Sequence, residues 1–226
     1  MTTPIAERIS LYVHVPFCVV KCGYCDFNSY PTEGTAELDR FLDGLHTELN
    51  LSSLPPTPVS VFLGGGTPTY LDDGRLRRLF AIIGRRLNLR GCDEVTMEAN
   101  PESVTAEKAT LAIEAGVNRV SIGAQSFHPD HLKFLDRAHS ADDTARAFET
   151  FREAGFKNVS LDLMFSIPGQ TAAEWESDLR RALSFDPDHL SCYNLTYEPG
   201  TRLTRDLKQG HVTKNTDEVD REMFEL

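Results

Sequence analysis

No stretch of this 226-residue chain approaches the roughly 18 consecutive apolar residues that a membrane-spanning helix needs. Its first residues, Met1-Thr2-Thr3-Pro4-Ile5-Ala6-Glu7-Arg8, lack the basic-then-apolar layout of a secretory leader. Positive charge is short as well. Lys and Arg number 23 against 34 Asp and Glu, a net of −11, which argues against nucleic acid or an anionic membrane as partner. Cysteine is sparse, five in all, too few for the disulfide framework of a secreted scaffold. No Gly/Pro/Ser-rich linker divides the chain. These absences point to a reducing cytoplasm and, with 40% hydrophobic residues, to one substantial core.

Three of the cysteines sit together in Phe17-Cys18-Val19-Val20-Lys21-Cys22-Gly23-Tyr24-Cys25-Asp26. The spacing C-x3-C-x2-C offers one metal centre three thiolates and no fourth. Iron–sulfur clusters normally take four cysteines, so three suggest a cluster with one iron left open to a ligand. Zinc motifs pair C-x2-C with a second pair of Cys or His. Cys92 and Cys192 are isolated, and each reads as a small buried hydrophobe near a strand. His14 could complete a zinc site but lies on a strand, four residues before Cys18. The cluster reading is preferred; zinc stays open.

The rest of the chain alternates short apolar strands with amphipathic helices. Strands are expected at Ser10–Val15, Val59–Leu63, Glu94–Ala99, Arg119–Ala124, Val159–Phe165 and His189–Asn194. Between them, helical stripes run over Thr35–Asn50, from Leu76 to Leu87, over Thr105–Ala115 to Gly116, and over Ala141–Ala154 to Gly155. A further helix opens at Thr171, with Glu174 completing a capping box. Six β-then-α units imply a parallel sheet with right-handed crossovers. They are too few for a full eight-stranded barrel, so an α/β, partial (β/α)6 barrel is expected, strands inside and helices outside. A doubly wound sheet fits the same alternation.

Parallel strands covered on both faces read as continuous apolar runs. Here they alternate, Val95, Met97 and Ala99 against Thr96, Glu98 and Asn100, for example. Tyr12, His14, Glu98, Gln125 and Asp162 thus gather on the face opposite the helices. Polar groups inside a barrel are costly unless they meet a polar ligand. A wet, ligand-filled lumen is the simplest account.

Leu63-Gly64-Gly65-Gly66-Thr67-Pro68 follows the second strand, and its glycines would let backbone approach a ligand and expose consecutive amides. Together with Leu11-Tyr12-Val13-His14-Val15-Pro16-Phe17-Cys18 and the cysteine spacing, this resembles the radical S-adenosylmethionine (SAM) superfamily. The similarity extends to Glu98-Ala99-Asn100-Pro101, Gly123-Ala124-Gln125-Ser126-Phe127, Leu135-Asp136-Arg137-Ala138-His139 and Pro168-Gly169-Gln170-Thr171. The branch it resembles holds the oxygen-independent coproporphyrinogen III dehydrogenases (HemN) and the related heme chaperones (HemW).

The resemblance implies a 4Fe–4S cluster on Cys18, Cys22 and Cys25, with SAM on the open iron. Gly65, Gly66 and Thr67 would line the methionine end of SAM, while Gln125, Arg137 and Asp162 match residues that contact it. Tyr24, through its backbone, and Thr196 would lie near the adenine. Tyr12 and Glu98 match positions that meet a second SAM or the substrate in the dehydrogenase, where they would be the catalytic pair. From its neighbours alone, Arg137 beside Asp136 reads as a solvated surface charge. The superfamily reduces SAM to methionine and a 5′-deoxyadenosyl radical. In the dehydrogenase that radical leads to decarboxylation of porphyrinogen propionates.

Two departures point to the heme chaperone as the expected function, with the dehydrogenase as the alternative. Where the dehydrogenase has a further cysteine two residues after Cys25, this chain has Phe27. The dehydrogenase also carries a long segment ahead of its cluster motif, against 17 residues here. A chaperone would require heme, an electron donor and an acceptor protein as partners. Residues 1–200 are expected to form the radical SAM core, and 201–226 the start of a C-terminal region cut short at Leu226. The chaperones keep a His-Asn-x-x-Tyr-Trp heme motif beyond that point, so heme binding by this stretch alone is not expected. The one tryptophan, Trp175, lies on a helix stripe and reads as core.

Overall fold

The computed structural model describes residues 8–32 and 34–226, so the leader reading of Met1–Glu7 lies outside the described residues. The chain runs β1 (Ser10–Val15), α1 (Thr35–Leu51), β2 (Ser60–Gly65), α2 (Asp73–Gly84), β3 (Glu94–Ala99), α3 (Ala106–Ala115), β4 (Arg119–Gln125) and α4 (Pro129–Phe134). It continues α5 (Ala141–Glu153), β5 (Val159–Phe165), α6 (Ala172–Leu183), β6 (His189–Asn194), α7 (Arg202–Lys208) and α8 (Asp217–Phe224). All six expected strands form. The sequence reading did not anticipate α4 or α7, which span 6 and 7 residues and offer too few turns for a 3.6-residue period to show.

Every strand pairs in parallel with the next, in the unbroken order β1 to β6. A doubly wound sheet reverses its strand order at a switch point. The sequential order therefore decides for the barrel, and β1 and β6 are its two unjoined edges.

Local chemistry fixes the helix ends. Thr171 and Glu174 form the expected capping box, with Glu174 N–H on Thr171 Oγ1 at 3.2 Å and Thr171 N–H on Glu174 Oε2 at 2.8 Å. Ser140 and Asp143 form a second one at the start of α5. Gly116 ends α3 at φ +106°, a conformation that suits glycine. The helix-facing residues of the strands, among them Val15, Leu63, Met97, Ile122, Leu161 and Leu163, are fully buried against Leu42, Leu76, Leu79, Ile83 and Phe151. Each such side chain contributes about 1.5–3 kcal/mol of burial. Trp175 is core as expected, its Nε1 donating to Met223 O of α8 at 2.9 Å.

A smaller apolar cluster of Leu135, Met164, Ile167, Leu195 and Leu203 packs against Tyr24 of the cysteine loop. Through it, α7 braces that loop. Leu203 N–H donates to Gly23 O at 2.9 Å, and Gly23 N–H donates to Asp136 Oδ2 at 3.0 Å.

Candidate functional site

Parallel strands present all their carboxyl ends on one side of a barrel, and there the loops converge. The cysteine loop leaves β1 and folds back on itself. Tyr30 N–H donates to Pro16 O at 3.0 Å, Cys18 N–H to Tyr30 O at 3.3 Å, and Cys25 N–H to Cys22 O at 3.1 Å. The ring of His14 reaches Asn28 O at 2.8 Å, tying β1 to the far side of the loop. The glycine run is laced to it too, with Gly66 N–H on Val15 O and Thr67 N–H on Phe17 O, both at 2.7 Å.

One cavity of about 420 Å³ opens at this end, and Cys18, Cys22 and Cys25 share its wall. That volume suits a small-molecule ligand. Tyr24 comes with the cysteines; Gly65, Gly66 and Thr67 with β2; Glu98 with β3; Gln125 with β4; Asp162 with β5; Thr196 from just beyond β6; and Arg137 from the loop after α4. Of the lumen-side residues singled out from the sequence, Tyr12 and His14 lie outside this lining, the Tyr12 hydroxyl 3.1 Å from His14 Nδ1.

Two backbone features aim side chains into the cavity. Gln125 sits at φ +62° where the β4–β5 register slips. Both are costly for a non-glycine residue and recur at working sites. The turn after it is pinned from α6, where buried Asp178 accepts Phe127 N–H and the Ser126 hydroxyl, each at 2.7 Å. Asp136, at φ +55°, receives Gly23 N–H and the Arg202 guanidinium and so delivers Arg137 to the inside.

The cavity is electrostatically unsettled. Burial, with the charge of Asp162 adding to it, pushes the Glu98 carboxyl up to about 7 despite a 3.0 Å bond from Gly65 N–H. Burial also raises Asp162, against a 2.8 Å bond from the Ser121 hydroxyl. The Cys18 and Cys22 thiols are likewise pushed up by burial, opposed by Thr67 and Ser29 at the first and by Arg137 at the second. Arg137 Nε is buried without a partner among the described residues. Half-buried thiols and carboxylates share one wall, and a metal centre would supply positive charge beside them. Three thiols on one wall suit a cube, whose irons each take their own thiolate.

A model of the radical SAM superfamily matches residues 12–182. This chain belongs to the radical SAM superfamily. The radical SAM chain is 40% identical over 222 residues to the heme chaperone HemW of Bacillus subtilis, covering 96% of this chain and 58% of that one. It is 41% identical over 196 residues to HemW of Escherichia coli, covering 85% and 52%. Among solved structures, coproporphyrinogen III oxidase (HemN) from Escherichia coli superimposes with a TM-score of 0.84 at 26% identity, over 96% of this chain and 51% of that one. The chain thus spans about half the length of the relatives it matches.

Two expectations and one alternative reading, that of Arg137 as a solvated charge, need correction in this radical SAM domain. The glycine run does not expose free amides. Gly65, Gly66 and Thr67 N–H are each taken, by Glu98, Val15 and Phe17. The glycines serve close packing instead, since a Cβ on Gly66 would lie 2.6 Å from the backbone of Phe17 and Val15. Arg137 is no surface charge: it donates to Asn100 Oδ1 at 2.7 Å, to Gly123 O at 2.9 Å and toward Cys22 Sγ at 3.7 Å. Cys192 is exposed on edge strand β6, where no later helix covers it, while Cys92 is buried as expected. The reading from sequence also gave Asn100 and Ser29 no role. Asn100 stands in a matched motif, which was its only signal; Ser29 carried none.

Proposed function

We propose that this radical SAM domain holds a 4Fe–4S cluster on Cys18, Cys22 and Cys25, binds SAM in the adjoining cavity, and serves within a cytoplasmic heme chaperone that passes heme to an acceptor protein. The observation that carries the reading is the shared wall. Three thiols line the same 420 Å³ cavity as one inward arginine, one strained glutamine and one half-buried aspartate from separate barrel units. When bound, such a cluster would supply one-electron reducing power beside SAM. The protein's own residues bind and orient. The Arg137 guanidinium suits the SAM carboxylate, and the Asp162 carboxylate suits ribose hydroxyls. Gly65, Gly66 and Thr67 border the methionine end, Gln125 adds a polar contact, and Tyr24 and Thr196 flank the adenine. Heme, an electron donor and the acceptor complete the partners. No described helix is long and apolar enough to cross a membrane.

A second reading, oxidative decarboxylation of coproporphyrinogen III, draws on the likeness to HemN, with Tyr12 and Glu98 meeting the substrate. Against it, the position that carries a further cysteine in the dehydrogenase is Phe27, largely exposed at the cavity mouth. Anaerobic reconstitution separates the two. A SAM-perturbed cluster without porphyrinogen consumption supports the chaperone; turnover of coproporphyrinogen III with SAM and reductant overturns it in favour of the dehydrogenase.

A further inference from the structure

Asn100 follows β3 directly and links groups that reach two of the three motif thiols. Arg137 Nη2 donates to Asn100 Oδ1 at 2.7 Å, and Asn100 Nδ2 donates to Thr67 Oγ1 at 2.8 Å. At the ends of this relay, Arg137 Nη1 reaches Cys22 Sγ at 3.7 Å and Thr67 Oγ1 reaches Cys18 Sγ at 3.6 Å. Donor chemistry fixes each orientation. A guanidinium has no acceptor, so the amide oxygen must face Arg137 and the amide nitrogen must face Thr67. The Thr67 oxygen then accepts, which leaves its single hydrogen for Cys18. The node is tightly packed. A methyl on Gly123 would lie 3.2 Å from Asn100 Oδ1 and 3.3 Å from Arg137 Nη2, so glycine there lets the pair sit close against β4.

We propose that Asn100 is a positioning residue for the metal centre. It aims one donor at each of two sulfurs, through Arg137 at Cys22 and through Thr67 at Cys18, and so raises the reduction potential of the cluster those thiolates hold. The inference rests on the cluster reading above. Donors to cluster sulfurs favour the reduced, more negative state, and such outer partners tune a metal site as its ligands do.

The test is potentiometric titration, followed by EPR of the reduced cluster, on anaerobically reconstituted wild type, Asn100→Ala, Thr67→Val and the double variant, with iron and sulfide content measured alongside. All four are expected to load equally. Each single variant shifts to a more negative potential, Asn100→Ala by more because both donors lose their aim. The double shifts by less than the sum, since Asn100 acts partly through Thr67. Where Asn100→Ala does not fold, Asn100→Ser tests the same point, because its short, uncharged side chain cannot bridge Arg137 and Thr67. A fully loaded Asn100 variant at the wild-type potential, an unmoved Thr67→Val, or strict additivity overturns the inference while leaving the cluster reading intact. A wild type that takes up no iron and sulfide overturns both.

Discussion

Along β3, Val95, Met97 and Ala99 face the helices and are at most 3% exposed, while the alternate residues carry Glu98, whose carboxyl burial pushes up to about 7. β5 repeats the division, with Leu161 and Leu163 fully buried on one side and Asp162 bonded to Ser121 on the other. The same strands therefore present one face that stabilises the fold and another that works against it. Apolar burial holds the helix side together. On the lumen side, half-buried carboxylates and thiols are held near one arginine in a conformation that a ligand would relieve. Such sites break local rules that the rest of the molecule obeys.

Substitutions on the two faces should sharpen that division. The largest effect belongs to the helix side. Leu161→Ala is expected to lose about 2–5 kcal/mol in urea unfolding, with SAM affinity of the folded protein unchanged. Next comes Arg137→Lys, which keeps the charge but loses the planar fork that serves Asn100, Gly123 and Cys22 together. SAM affinity by calorimetry should fall roughly ten- to a hundredfold, about 1.4–2.8 kcal/mol.

Glu98→Gln should act in the opposite sense on stability. Because the folded carboxyl sits near 7 and its ordinary value is 4.5, the unfolded chain ionises first. The wild type therefore loses stability as pH rises from about 4.5 to 7, and the loss is complete above that. Gln removes this fall and still accepts Gly65 N–H, so the variant should be more stable by about 2–3 kcal/mol at pH 7.5 and equal at pH 4. Urea midpoints at the two pH values check it; an equal gain at both would contradict it. The smallest effect is Gly123→Ala, whose methyl would lie 3.1 Å from Gln125 Nε2. It should cost less than about 1 kcal/mol of stability and weaken SAM binding a few-fold, by displacing Gln125 and Arg137.

Much of this was legible in the sequence because its signals were local. Strand and helix periods set the six β/α units, and a single capping pair fixed the start of α6. The lumen set was readable from alternation, which separated Glu98, Gln125 and Asp162 from their apolar neighbours before any coordinates. What stayed hidden depends on chain segments far apart. Arg137 looks solvated beside Asp136, and only the left-handed turn at Asp136 carries it inward. The amides of the glycine run look free until Glu98 of β3, the end of β1 and Phe17 just beyond it meet them. Asn100 has meaning only once β2, β3 and the loop after α4 meet.

The most direct measurement is the iron and sulfide content of the anaerobically reconstituted wild type beside a Cys18→Ala/Cys22→Ala/Cys25→Ala variant, with the EPR spectrum recorded before and after SAM is added. The wild type should hold iron and sulfide in equal amounts with a signal that SAM perturbs, and the triple variant should hold neither while keeping its circular dichroism. Equal iron in both proteins, or a wild-type signal indifferent to SAM, would contradict the shared wall of thiols and cavity on which the account stands.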